Sequence, residues 1–298
     1  MTFRLIDQQR AHHAVSLLCS VLEVSRQGFY AWQRRGQDPC LRRRQDQRLY
    51  GPIVALYKRS RETYGAPRIT ARLRIEYGIR IGQKRAARLM RELGIEGTSR
   101  GKRHPRTTIP NRKARPAADL LQRDFTASEP NQKWVADITY IETNEGYLFL
   151  AAVTDLYSRK IIGWSMRDTL DAVIVTDAIA MAITRRQPRP GVIHHSDRGT
   201  QYASIACGRT LRDAGILQSM GSVGDPIDNA VMESAIGTIK TELVKRHVFQ
   251  SRDHARLAVF DYIERFYNPI RAHSTLGNLS PDEYEAQYHH QHAAGQAA

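Results

Sequence analysis

Apolar positions fall into two regimes along the chain. Up to about residue 98 they recur at helical spacing, and from Asn131 they first gather into β-branched and aromatic runs. Val15, Leu18 and Leu22 share one face of a helix predicted over 11–22. A second helix, about 26–35, follows a Glu23-Val24 turn, with Ser25 at its N-cap and Phe29, Tyr30 and Trp32 along it. The pair has the form of a helix-turn-helix and equally of an ordinary helical hairpin. Further helices are predicted over 45–60, from Pro67 through Tyr77, and over 83–93, the last closed by Gly94. Gly78 to Ile81 reads as a turn and a short strand.

Beyond Asn131 three runs, 134–141, 147–154 and 160–166, are joined by turn residues at 144–146 and 158–159, the pattern of an antiparallel meander. Helices over 171–185, 204–214, 229–246 and 252–267 follow, with short strands at 191–195 and 216–220. The sum is an α/β fold: one mixed five-stranded sheet flanked by helices, preceded by all-α regions.

Charge sharpens this division. The chain has 298 residues and a net charge of +15. Residues 1–120 hold 27 Lys and Arg against 9 Asp and Glu, a balance of +18, whereas 121–298 hold 18 against 21, a balance of −3. A basic front suits a phosphate backbone and a slightly acidic back suits metal ions. Lys84, Arg85, Arg88 and Arg91 on the 83–93 helix are candidate DNA contacts, with Ala87, Met90 and Leu93 turned inward; a solvated charged face is the plainer alternative. No stretch suits a membrane span and the N-terminus lacks an apolar signal core. Cys19, Cys40 and Cys207 show no CxxC spacing, which argues against zinc or a disulfide framework and for a reducing cytoplasm. No GxxxxGK[ST] loop is present, so ATP-driven function has no support.

The stretch His194-His195-Ser196-Asp197-Arg198-Gly199 ends a strand on an aspartate and opens into a glycine turn. That is poor strand chemistry and good chemistry for a hard cation. Asp137 interrupts an otherwise apolar strand, and Glu233 begins a helix whose face also carries Gly237 and Lys240. Singly, each has a bland reading: a satisfied core aspartate, an Asx turn, a first-turn glutamate. Jointly they suit two-metal phosphodiester chemistry, with ions about 3.5–4 Å apart.

Three blocks, Trp134-Val135-Ala136-Asp137-Ile138-Thr139-Tyr140, His194 to Gly199 and Asp228-Asn229-Ala230-Val231-Met232-Glu233-Ser234, resemble the signatures of DDE transposases with a retroviral-integrase-type core. The 35 residues between Asp197 and Glu233 match the spacing of the orfB-type transposases of bacterial insertion sequences. Tyr267-Asn268-Pro269-Ile270-Arg271-Ala272-His273-Ser274-Thr275-Leu276-Gly277 and Tyr64-Gly65-Ala66-Pro67-Arg68-Ile69 also resemble blocks of that family.

The resemblance implies an RNase H-like fold, with Asp137, Asp197 and Glu233 as catalytic metal ligands for two Mg²⁺ ions, Mn²⁺ substituting. It implies Lys240 on DNA, and His195 and Asn229 as second-layer groups, though a core histidine and a helix N-cap fit those two equally. Asp155 is expected to be structural. The organisation expected is a helix-turn-helix-like region over 1–50, a basic helical DNA-binding domain over 51–98, a basic linker over 99–125, an integrase-type core over 126–286 and a flexible tail over 287–298. The activity implied is cutting of element ends and joining of 3′-hydroxyl strands to target DNA. The partners implied are duplex DNA, with terminal inverted repeats and target, a homo-oligomer on DNA, and an upstream-frame partner or fusion, in the cytoplasm at the nucleoid. The competing readings are a DNA-binding regulator with an inactive integrase-like fold and a structure-selective nuclease.

Overall fold

The computed structural model describes residues 2–37, 40–99, 117–122, 124–221 and 230–296. Three short helices open the chain: α1 (Thr2–Gln9), α2 (Val15–Val21) and α3 (Arg26–Gln37). They close on Ile6, Cys19 and Phe29. The helix expected over 11–22 is shorter, and α1 was not foreseen. Phe3 and Ile6, three apart, give α1 an inward face, and Phe3 lies 6.3 Å from the Phe29 ring. Ser25 caps α3 as expected, accepting from the N–H of Gly28 at 3.0 Å.

Helices α4 (Leu41–Arg59), α5 (Ala66–Tyr77) and α6 (Gln83–Glu92) form a second bundle around Ile53, Leu56, Tyr64, Ile69, Leu73 and Leu89. Pro67 sits in the first turn of α5, where its missing N–H costs nothing, and Gly78 ends the helix at φ 65°. The short strand expected at 78–81 is absent. Ile79 and Ile81 instead pack on the helical core, and the Ile79 N–H bonds back to Leu73. On α6 the buried residues are Ala86, Leu89 and Met90, so the inward face sits about one position from that expected.

The remaining chain builds one five-stranded sheet, β1 (Lys133–Thr143), β2 (Gly146–Asp155), β3 (Ile161–Arg167), β4 (Ile193–Ser196) and β5 (Leu217–Met220), in the order β3-β2-β1-β4-β5. The first three strands pair antiparallel, whereas β4 lies parallel to both β1 and β5. Helices α7 (Val173–Arg186) and α8 (Ile205–Asp213) cover one face, over Trp134, Val153, Ile179 and Leu211. Helices α9 (Ala230–Glu242) and α10 (Arg252–Tyr262) cover the other, over Val135, Leu150, Met232, Ile239 and Val259. This is the mixed, helix-flanked sheet of an RNase H-like fold. A final helix, α11 (Pro281–Gln296), runs into the segment expected as a flexible tail, through residue 296. Its Tyr288 ring lies 5.3 Å from Tyr157 and 3.9 Å from His292, contacts that give the segment a reason to stay helical.

The α4–α6 bundle is tied to this core by polar contacts. Arg72 forks onto Glu283 at 2.7 and 2.8 Å, and the Tyr64 hydroxyl donates to the Ile270 carbonyl at 2.9 Å.

Helix and sheet approach closely at Gly163 of β3. A Cβ there would stand 2.1 Å from the Ala178 carbonyl oxygen of α7. Gly163→Ala is expected to cost about 1–3 kcal/mol of stability in urea unfolding. An unchanged midpoint would mean α7 is free to move away from the sheet.

Candidate active site

The parallel pairing of β1 with β4 sets the site. Val135 lies opposite His195. Two residues further on, each strand carries an aspartate on the same face: Asp137 in β1 and Asp197 just past the end of β4. Asp197 is held in a turn, with its Oδ1 accepting from the Gly199 N–H at 3.0 Å. Arg198 pins that turn by donating from Nε to the Gly221 carbonyl at 2.6 Å. Asp137 accepts at 2.8 Å from the N–H of Ile138.

Electrostatics tie the three carboxylates together. Burial, then the charge of Asp197, then that of Glu233, push the Asp137 carboxyl up to about 7. Burial likewise raises Asp197, against the opposing Gly199 N–H. Glu233 stands exposed in the first turn of α9. Among the described residues, no three His, Cys, Asp or Glu side chains are close enough to hold a metal ion as they stand. Glu233 therefore interacts with Asp137 through space without completing a cage.

The donor set itself fits a hard divalent cation. All three groups are carboxylates, and two are strained by burial in a way a cation would relieve. Lys240 stands beside them. Its Nζ lies 4.7 Å from the Tyr140 ring centroid, burial lowers its pKa, and the charge of Asp137 opposes that shift.

Other expected residues divide. His195 is buried and shares a 2.8 Å hydrogen bond between its Nδ1 and the Ser219 hydroxyl, with Asp119 at 3.9 Å. These contacts fit the core-histidine reading. Asn229 lies outside the described residues, as do the 222–228 segment and most of the basic linker. Asp155 is structural as expected, buried and bonded to the N–H groups of Asn131 at 2.7 Å and Tyr157 at 2.8 Å.

On α6, Lys84 and Arg91 are exposed. Arg85 and Arg88 both reach Asp46 of α4 at 2.6 Å, and Arg88 also pairs with Glu92. Two of the four candidate DNA contacts are thus already paired within the fold, because Asp46 arrives from another helix.

Tyr202, just downstream of the aspartate block, is a residue that the sequence reading passes over. It is fully buried, its hydroxyl has no hydrogen-bond partner among the described residues, and burial with the charges of Asp137 and Asp197 raises its pKa well above the ordinary value. It packs with Trp134 and Ala136 on the α7–α8 face of the sheet and feels the charge of both aspartates. The signal in sequence was its aromatic position five residues after Asp197.

The chain is similar to known proteins in sequence. An integrase core domain model matches residues 127–226, a second integrase core domain model matches 214–281, and an HTH-like domain model matches 44–103. The HTH-like match thus falls on α4 to α6, downstream of the 11–35 pair. The 31 kDa protein of insertion element IS600 from Shigella sonnei is 39% identical over 272 residues, 91% of this chain and 98% of that one. The transposase InsF for insertion sequence IS3A from Escherichia coli (strain K12) is 38% identical over 285 residues, 96% of this chain and 98% of that one. Among solved structures, the catalytic core of BIV integrase matches with a TM-score of 0.40 at 18% identity, covering 55% of this chain and 99% of that one. The HTLV-2 integrase core in complex with magnesium matches with a TM-score of 0.42 at 15% identity, covering 54% and 99%.

Sheet order and domain matches define an integrase-type polynucleotidyl transferase core behind a helix-turn-helix-like DNA-binding region. The chain belongs to the IS3 family of insertion-sequence transposases. An integrase-type core points to divalent-metal chemistry, and an HTH-like domain to DNA. Among the described residues no helix is long and apolar enough to cross a membrane.

The raised Asp137 carboxyl makes a pH prediction for the metal-free protein. In the unfolded chain this group loses its proton near 3.8; in the folded chain it does so near 7. Between those values the folded state binds more protons, so its stability falls as pH rises. Asp137→Asn is expected to flatten the melting temperature between about pH 5 and 8 and to raise it at the upper end. Parallel wild-type and variant profiles would show the carboxyl to be ordinary.

Proposed function

We propose that Asp137, Asp197 and Glu233 together ligate two Mg²⁺ ions, for which Mn²⁺ substitutes, and that the chain cuts the ends of its element and joins the 3′-hydroxyl strands to target DNA. The observation carrying this reading is the β1–β4 register, which aligns Asp137 with Asp197, joined to the charge coupling between Asp137 and Glu233. Bound there, the ions would activate the attacking oxygen and stabilise the leaving one.

The chain's own residues prepare that chemistry. Asp137 must give up a proton that burial and the charge of Asp197 favour keeping, so loading is coupled to proton release. Lys240, cationic at the edge of the carboxylates, meets a phosphate and orients the scissile strand. Lys84 and Arg91 offer free charge to the duplex, and Arg85 and Arg88 offer what their pairing with Asp46 leaves.

The substrate class is duplex DNA: terminal inverted repeats first, target second. Two ends must be handled together, which favours a homo-oligomer assembled on DNA. End recognition involves an upstream-frame partner or a fused product, and the chain works in the cytoplasm at the nucleoid.

The test is strand nicking on element-end DNA. Asp137→Asn should lower Mg²⁺-dependent nicking roughly 10³-fold or more while duplex binding persists. A variant that nicks at the wild-type rate would remove Asp137 from the reaction. Duplex binding without any metal-dependent strand transfer by the wild type would favour a regulator, and cutting of branched DNA without joining would favour a nuclease.

A further inference from the structure

Helix α9 has a second side. Glu233 and Lys240 face the carboxylate site, whereas Thr238 and Thr241 line a cavity of about 490 Å³ roughly a third of a turn around the helix. The opposite wall comes from Arg68 of α5, Arg159 of the β2–β3 turn, and the segment carrying Arg271, His273 and Thr275. Three guanidinium groups from distant parts of the chain therefore meet in one cavity, beside the helix that bears Glu233.

Their charge is poorly matched. Arg271 forks onto Glu242, Nε at 2.8 Å and Nη2 at 2.7 Å, and the same carboxylate accepts from the Tyr262 hydroxyl at 2.8 Å. Arg68 approaches that carboxylate only at 3.5 Å. One acid is thus shared by two cations. Arg159 feels Asp155, which already accepts from two backbone N–H groups. The Nη1 of Arg159 is buried and has no hydrogen-bond partner among the described residues. Arg159 also holds φ at 62°, left-handed backbone that a non-glycine residue rarely adopts, so its placement is imposed by its surroundings. His273 adds no charge of its own, since burial and then Arg271, Arg68 and Arg159 keep its pKa well below the ordinary value. The cavity therefore gathers surplus positive charge, a buried donor without an acceptor, and threonine hydroxyls at its rim.

Planar forks and hydroxyls converging from several directions match a tetrahedral oxyanion. We infer that this cavity is a phosphate-binding site, formed by Arg159 with Arg68, Arg271 and Thr275, which seats a backbone phosphate of DNA lying across α9. The assignment rests on DNA being the substrate. It adds a contact behind Glu233, on the side of α9 away from the carboxylates. It would also give the α4–α6 bundle, through Arg68, a share in holding the strand near the site. A free phosphate could satisfy the same donors, and the experiment separates the two sources.

The full chain is titrated with a short element-end duplex across a salt series, and separately melted with inorganic phosphate. Arg159→Gln is expected to reduce the slope of log affinity against log salt by about 0.9, one phosphate contact. It should also remove the thermal shift that inorganic phosphate gives the wild type. Thr275→Asp puts a carboxylate at the exposed mouth without disturbing the core, so it stays informative if Arg159→Gln fails to fold. It is expected to weaken duplex binding roughly tenfold or more relative to Thr184→Asp, a matched substitution on an exposed position of α7. A lost phosphate shift in Arg159→Gln with a wild-type duplex slope would keep the site and assign it to free phosphate. An unchanged slope, an unchanged phosphate response and Thr275→Asp no weaker than Thr184→Asp would overturn the site. Failure of the wild type to nick DNA with Mg²⁺ would instead strike the catalytic reading and leave these binding results standing.

Discussion

Two acidic side chains set on one face of neighbouring strands are the constraint on which this molecule turns. Parallel pairing of β1 with β4 runs Val135 opposite His195, and the next residues on that face are Asp137 and Asp197. Neither can move away without breaking the strand ladder or the turn that Gly199 and Arg198 hold closed. Burial then makes the folded chain resist ionising both, and the charge of Asp197 raises Asp137 further. A site of this kind is poorly suited to the protein alone and well suited to a hard cation, which removes the repulsion that the fold creates.

The surrounding architecture serves that arrangement. Helix α9 packs its apolar side, Met232, Ile236 and Ile239, on the sheet and so brings Glu233 and Lys240 to the aspartates. The far end of the same helix is anchored by the buried pair Glu242–Arg271, with Tyr262 completing the carboxylate's bonds. Breaking one partner of such a pair leaves an uncompensated buried charge, so the anchor fixes geometry more than it adds net stability. The α4–α6 bundle docks on the same region through Tyr64 and Arg72. DNA-binding helices and catalytic sheet are thereby joined at the segment that carries Arg271 and His273.

Much of this was legible in the sequence, for identifiable reasons. The meander was readable because β-branched runs with sharp turns have a period of two, and the strands fall within a residue or two of expectation. The two aspartates stood out because charge is out of place on a strand or at its mouth, whereas Glu233, ordinary in a first helical turn, stood out only beside them. What was hidden depended on distant contacts. Asp46 neutralises Arg85 and Arg88 from 39 and 42 residues away, which no local window can register. The C-terminal tail looked frayed because histidine and alanine carry little periodic signal, yet Tyr288 finds Tyr157 across the fold. Helix α1 was missed because its inward face has only two strong apolar positions. The meeting of Arg68, Arg159 and Arg271 exists only in three dimensions.

The central claim is that the three carboxylates bind metal as one set. Titration of Mn²⁺ into the full chain on duplex DNA, followed by electron paramagnetic resonance, addresses it directly. Wild-type protein should bind two ions per chain in spin-coupled form, and Glu233→Gln should lose that coupling although its aspartates remain. Unchanged stoichiometry and coupling in Glu233→Gln would contradict the account.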